Sequence, residues 1–297
     1  MATVEHARPR RLGLLQVGTS VAALAAIAWW ASRQHAPHVP LDRTALARLG
    51  GALAVYAAAT ALRGERWHAI LRRNGIERRR ATSYGLTLVG YMGNNTLPAR
   101  AGDLMRVVFL GGPRRLALGT VVAERALDAG ALCLIFAAVV LERGLAFGPL
   151  PYLAAAGVVV VVAGAVVWRT VPRVRELAHP VVGALRELLS LHGAALLALS
   201  LVVWTLEAVV YALVGSAVGV RLGLTGGLYV MALTNLSALV PAAPGYVGTF
   251  DAAVLIALRS LHRPALGYLL VLRFVLFVPI TVAGFAVFLA RYARRRR

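Results

Sequence analysis

Lysine is absent from the 297 residues, and cysteine occurs once, as Cys133. A lone cysteine excludes internal disulfides and thiolate metal clusters. Charge is scarce as well: 15% of the residues are charged, against roughly 25% in a soluble domain. The seven histidines are scattered near segment ends without metal-ligand spacing, and no nucleotide-binding motif is present. No cofactor is expected on these grounds.

Apolar residues fill the space, at 59% of the chain. Stretches of about twenty recur between residues 12 and 290, enough for each to cross roughly 30 Å of hydrocarbon as a helix. The gaps between them are too short to fold alone. The expectation is one all-α integral membrane domain over residues 1–297.

The 32 arginines outnumber 12 acids, for a net charge of +20. In a soluble protein that balance would point to nucleic acid. Here the arginines cluster at the ends of apolar stretches, as topology and anionic headgroups require. Membrane lipids, and no nucleic acid, are the expected partners. Arg8, Arg10 and Arg11 precede the run 12–31, which exceeds the 7–15 residues of a signal-peptide core and reads as a first membrane helix.

Six long transmembrane helices are expected, near 12–31, 46–66, 116–141, 151–168, 193–219 and 266–290. Segments 82–112 and 226–258 are apolar but broken by Gly, Pro and Asn, and read as two re-entrant hairpins. With both termini cytoplasmic, 21 arginines sort inside, seven of them in 63–80, and seven sort outside, while Arg100, Arg106, Arg125 and Arg273 fall at membrane depth. That satisfies the positive-inside rule for a bacterial inner membrane. Two crossing helices in place of each hairpin would keep the same parity. The stretch 171–191 places Val181, Val182, Leu185, Leu188 and Leu189 on one helical face, expected to lie on the membrane surface.

The hairpins share a pattern, Leu97-Pro98 to Gly102 and Val240-Pro241 to Gly245, with Asn95 and Gly248 flanking. Each is preceded by two long helices and followed by one. Repeat 1 (12–142) and repeat 2 (151–290) would thus be inserted upside down relative to each other, ahead of a basic tail, 291–297. Glu65 precedes Pro98 by 33 residues and Glu207 precedes Pro241 by 34, while Arg125 and Arg273 follow the same prolines by 27 and 32. An inverted-topology repeat with discontinuous helices is a transporter architecture.

A charge at the bilayer centre costs roughly 2.5–3.5 kcal/mol on insertion scales. Glu124, Arg125 and Asp128 must therefore face the protein interior or an aqueous cavity. Arg125 reaches Asp128 at i, i+3, and Glu124 shares a face with Asp128 but has no local partner. A register-locking salt bridge and a functional site are both open readings of these charges. Arg273 needs a remote partner, with Glu207 and Asp251 as candidates. Arg100, Asp103 and Arg106 follow the first tip, either as interfacial charges or as the lining of a headgroup path.

The runs YMGNNTLPARAGDLMRVVFL, VVAERALDAG and LVPAAPGYVGTFDAAVL resemble the flippase-like membrane domain of lysylphosphatidylglycerol synthases over nearly the whole chain. The resemblance implies movement of lipids between leaflets, with Arg100, Asp103, Arg106, Glu124, Arg125 and Asp128 on the path and Pro241 and Gly245 at the second tip. Bifunctional members carry a soluble aminoacyl-transfer domain after the membrane region. This sequence ends at Arg297, so synthase activity is not expected and the lipid is left open. Three functions stand: flipping of an anionic phospholipid or polyprenyl-linked glycolipid, ion-coupled carriage of a small solute, and lipid-headgroup chemistry. The last lacks any His/Asp pair or serine-centred motif beside the charges.

Overall fold

A computed structural model describes residues 42–98, 100–144, 181–238, 244–263 and 266–291, all helix and connecting turn, with no strand among them. The expected helices 12–31 and 151–168, Pro241, and residues 292–297 of the basic tail lie outside the described residues.

The first described helix, α1 (Arg43–Arg73), starts where Asp42 accepts a hydrogen bond from the Ala45 amide at 2.6 Å, supplying one of the donors a helix start leaves unpaired. Helix α2 (Arg80–Thr96) stops because Pro98 forces Leu97 into extended backbone, φ −113° and ψ 149°. Four residues later α3 (Ala101–Leu110) begins. A three-residue turn leads to α4 (Arg114–Arg143), closed by Gly144 in a left-handed cap. Next come helical residues 181–186 and a short 3₁₀ turn, Glu187–Leu189. Helix α5 (Leu191–Ala217) is capped by Ser190, which accepts from the Gly193 amide. Then follow α6 (Gly223–Ser237), a 3₁₀ turn at Pro244–Tyr246, α7 (Thr249–Ser260) and α8 (Leu266–Arg291).

Each broken segment is a helical hairpin. Helices α2 and α3 run antiparallel and so close that a Cβ on Gly102 would overlap the Gly90 carbonyl oxygen, and one on Gly93 would sit 2.5 Å from the Gly102 Cα. Arg78, just before α2, donates to the carbonyl of Leu110 at the end of α3 at 3.1 Å, so the hairpin opens and closes at the same end of the bundle. Helices α6 and α7 do likewise at the other end, where the Ser260 hydroxyl donates to the Tyr229 oxygen at 3.2 Å.

The two hairpins meet tip to tip in the middle. The Arg100 guanidinium donates to the Ala238 carbonyl at 2.5 Å and lies over the Tyr246 ring. The long helices surround them. One core unites α4, α5, α6, α7 and α8 around Tyr211, Met231, Leu258 and Leu272, while α1, α2, α3 and α4 close a second one around Trp67 and Leu86.

By length and composition α1, α5 and α8 can cross a membrane. On α8, Phe274, Val278, Val282, Phe285 and Leu289 are all exposed, an apolar stripe at helical spacing that suits lipid and not water. Helix α4 is as long as α1 but carries Glu124, Arg125 and Asp128, and the structure turns Glu124 and Asp128 inward to 2% and 3% exposure. The arginines also segregate by end. Arg73, Arg78 and Arg291 lie at the end where α1 stops and α2 starts, bonded to Glu187, Leu110 and Ala81. Arg48 and Arg143 lie at the opposite end, bonded to Ser216 and Thr225.

Two expectations are corrected. Arg63 and Arg66 do not belong with the end-facing arginines, being buried at 2% and 0% exposure. The amphipathic stretch is only partly so: Leu185 and Leu188 pack against Ile70 and Leu196, whereas Leu189 is fully exposed where the helix tightens into the 3₁₀ turn.

Candidate functional site

Where the tips converge, about halfway along α4 and α5, charges that are far apart in sequence form one network. Arg66 on α1 reaches Asp128 at 2.8 Å and Glu124 at 3.3 Å on α4. Arg106 on α3 reaches the other Glu124 oxygen at 2.7 Å and stacks on Trp67, its guanidinium 3.9 Å from the ring centroid. Arg125 forks onto Asp103 at 2.7 and 3.1 Å and touches Asp128 at 3.2 Å. Arg63 pairs with Glu207 on α5 and lies over Trp204, whose indole donates to Asp128 at 3.1 Å.

Helical spacing explains the convergence. Arg63 and Arg66 are three apart on α1, and Glu124 and Asp128 four apart on α4, so each pair shares a face. The glycine-lined approach of α2 and α3 brings Asp103 and Arg106 in beside them. Asn94 locks that approach reciprocally, its amide donating to Asp103 at 3.3 Å and its oxygen accepting from the Asp103 N–H at 3.2 Å.

A second, smaller site mirrors part of the first. Arg273 on α8 forks onto Asp251 at 2.6 and 2.8 Å, and Asp251 accepts from the Gly248 N–H at the start of α7. Of the two partners expected for Arg273, the structure selects Asp251. Glu207 is held by Arg63 and Asn235 instead.

Between the tips lies a cavity of about 100 Å³. Arg63, Arg100, Arg125, Asp128, Glu207 and Tyr246 contribute to its walls. Five of the six arginines at this depth lie within 4 Å of a carboxylate. Arg100 has none among the described residues; its contacts are a carbonyl and a ring, and its Nε is buried without a partner. The cavity thus carries one cation in excess.

Of the residues expected at the site, Arg100, Asp103, Arg106, Glu124, Arg125, Asp128 and Glu207 come together. Asp251 and Arg273 pair next to the second tip, and Asn95 ties the first tip to α8 through Thr281 at 2.9 Å. Glu124, without a local partner on its own helix, finds remote ones in Arg66 and Arg106. Gly102 is a close-packing position within α3, whereas Gly245 and Gly248 have the positive φ angles of 63° and 90° that turn the second tip. Glu65 is not the counterpart of Glu207: it sits at the edge, bonded to Tyr84 and Arg80.

Arg63, Arg66, Asn94, Trp204 and Asn235 were not singled out from the sequence. The available signal was the i, i+3 arginine pair on the apolar part of α1.

A model of a known family, described as the lysylphosphatidylglycerol synthase TM region, matches residues 15–284. Neither a curated protein nor a solved structure matches the chain.

Proposed function

The chain belongs to the family of the lysylphosphatidylglycerol synthase transmembrane region, and on that premise we propose that it moves an anionic phospholipid or polyprenyl-linked glycolipid between leaflets. The observation that carries this reading is Arg100, a cation without a carboxylate, in a cavity where two broken helices meet. Broken backbone at membrane depth is tolerated only beside protein or a polar cavity, and guanidinium matches phosphate geometry through parallel hydrogen bonds.

On this reading the hairpins are re-entrant, the two halves form an inverted repeat, and the arginine-rich end faces the cytoplasm of a bacterial inner membrane. The phosphate of the headgroup takes the place of the missing counter-ion to Arg100 while the tails remain in lipid. Rocking of one half against the other exposes the cavity alternately. Transport suits this wall: among the described residues its two carboxylates, Asp128 and Glu207, both sit against arginine.

Reconstituted vesicles with a fluorescent phosphatidylglycerol in both leaflets test this. Wild type should expose inner-leaflet probe to a membrane-impermeant quencher, and Arg100→Gln should not. Equal rates in protein-free vesicles, wild type and variant would refute the proposal.

The small volume of the cavity supports a second reading, carriage of a small hydrophilic anion. Uptake of inorganic phosphate by the same vesicles without probe movement would select it.

A further inference from the structure

A groove runs down the outside of the bundle, floored by α2 and walled by α1 and α8. Its middle, about 430 Å³, is lined by Leu53, Ala57, Ala61, Leu88, Ile280 and Ala283, all small or apolar. At the arginine-rich end it continues past Tyr84 and Leu88 to Arg80 and Arg291, where it opens into a mouth of about 860 Å³ that adds Arg78 and Arg79. At its inner end it reaches Tyr56, which lines both the groove and the central cavity.

We propose that this groove is the docking site of one anionic phospholipid, its phosphate held at the arginine mouth and an acyl chain lying along α2 towards Tyr56. The proposal rests on the membrane-transport reading and assigns that reading its entry point.

Charge and length both fit this occupant. Among the described residues no carboxylate lines the mouth; beside it, Glu65 engages Arg80 and Tyr84 and exposed Glu77 precedes Arg78, while Arg79 is exposed and has no partner among the described residues. The mouth is therefore strongly cationic, which favours a phosphate and disfavours a neutral lipid. From Arg291 to Pro279 the α8 wall covers about 18 Å at 1.5 Å per residue, close to half of the roughly 30 Å hydrocarbon layer. A lipid anchored at the mouth would thus place its chain within one leaflet and end beside Tyr56. Small side chains at Ala57, Ala61 and Ala283 keep the trough open, and no charged residue interrupts it between Arg80 and Tyr56.

The test uses the full chain in nanodiscs of equal phosphatidylglycerol and phosphatidylcholine, with retained lipid read by native mass spectrometry. Wild type should retain phosphatidylglycerol preferentially. Arg79→Gln/Arg80→Gln should lower that preference about twenty-five-fold, from two surface cations at about fivefold each. Ala57→Trp, at an exposed position, should displace the lipid by filling the trough. Arg72→Gln/Arg186→Gln removes the same charge from the same end outside the groove and should leave retention unchanged.

Equal loss in that control pair, or full retention in Ala57→Trp, overturns the proposal. A photocrosslinker at Ala61 that captures residues 1–41 of the chain in place of lipid also overturns it. The flipping reading fails separately. Flipping without groove-dependent retention removes only the groove, and retention sensitive to Ala57→Trp without any flipping upholds the groove and removes the transport reading.

Discussion

Arg125 grips Asp103 through two hydrogen bonds across 22 residues of sequence, and Arg273 grips Asp251 in the same way across the same interval. Each aspartate is the third residue of the short helix that follows a tip, α3 or α7, and each arginine lies on the next long helix. The pairs hold each hairpin to the helix after it. Because both arginines keep about a quarter of their side chain exposed, loss of either aspartate is expected to cost about 1.5–3 kcal/mol, the range of a hydrogen bond to a charged group. Asp103→Asn and Asp251→Asn should therefore lower the thermal midpoint in detergent by similar amounts. A large drop for one and none for the other would show that the two halves are not mechanically equivalent.

The pair Arg63 and Glu207 is more deeply buried, at 2% and 5% exposure. Removing one partner strands the other, at about 3–5 kcal/mol. Arg63→Met or Glu207→Leu alone should unfold much of the protein in detergent. The double variant should recover most of the loss, since a buried ion pair is often replaceable by apolar groups of similar size. It should still fail in the quenching assay if the pair lines the transport path. Restored folding with restored transport would make the pair purely structural.

The reading from sequence succeeded where the information is local. Period and length mark α4, α5 and α8 to within two residues at each end and α1 to within seven, and the Gly, Pro and Asn breaks mark where the helices of each broken segment end, since Pro98 ends α2 through its own backbone sterics. Pairs separated by much of the chain are not legible in this way. Arg63 and Glu207 lie 144 residues apart, and nothing along one chain links them. Arg63 and Arg66 also stand only about two to three turns before Arg72 and Arg73, so along the sequence they group with the arginines of the membrane surface. The repeat was aligned on its prolines, which left Arg125 and Arg273 five residues out of step. Eleven residues separate the end of α6 from the start of α7, against four between α2 and α3; aligned on Asp103 and Asp251, the arginines coincide.

Close packing in the first hairpin gives a prediction that needs no transport assay. A methyl on Gly102 meets backbone, the Gly90 carbonyl and the Asn94 amide, which cannot move aside as a side chain would. Gly102→Ala should cost more than the about 1–3 kcal/mol of ordinary overpacking and yield little monodisperse protein on size exclusion. Gly130→Ala is the control. Its nearest neighbour would be a Leu197 methyl at 4.0 Å, and it should gain up to about 1 kcal/mol from helix propensity. Equal behaviour of the two would mean that α2 and α3 do not lie this close.

Arg100 has left-handed backbone, φ 54° and ψ 37°, a conformation that costs a non-glycine residue about 1–3 kcal/mol. Tyr246, across the tip junction and 5.6 Å from its guanidinium, has φ 56°. Two strained residues facing each other where the hairpins touch imply that their side chains are needed there. Glycine would relax the backbone at either position, so Arg100→Gly is expected to raise the thermal midpoint or leave it unchanged while abolishing probe movement in vesicles. Tyr246→Gly should relax its own backbone as well, but it removes a ring from the cavity wall and should weaken transport less than loss of the charge. If Arg100→Gly destabilised the protein as strongly as Glu207→Leu, the guanidinium would be holding the tips together, and its role as a phosphate ligand would lose its support.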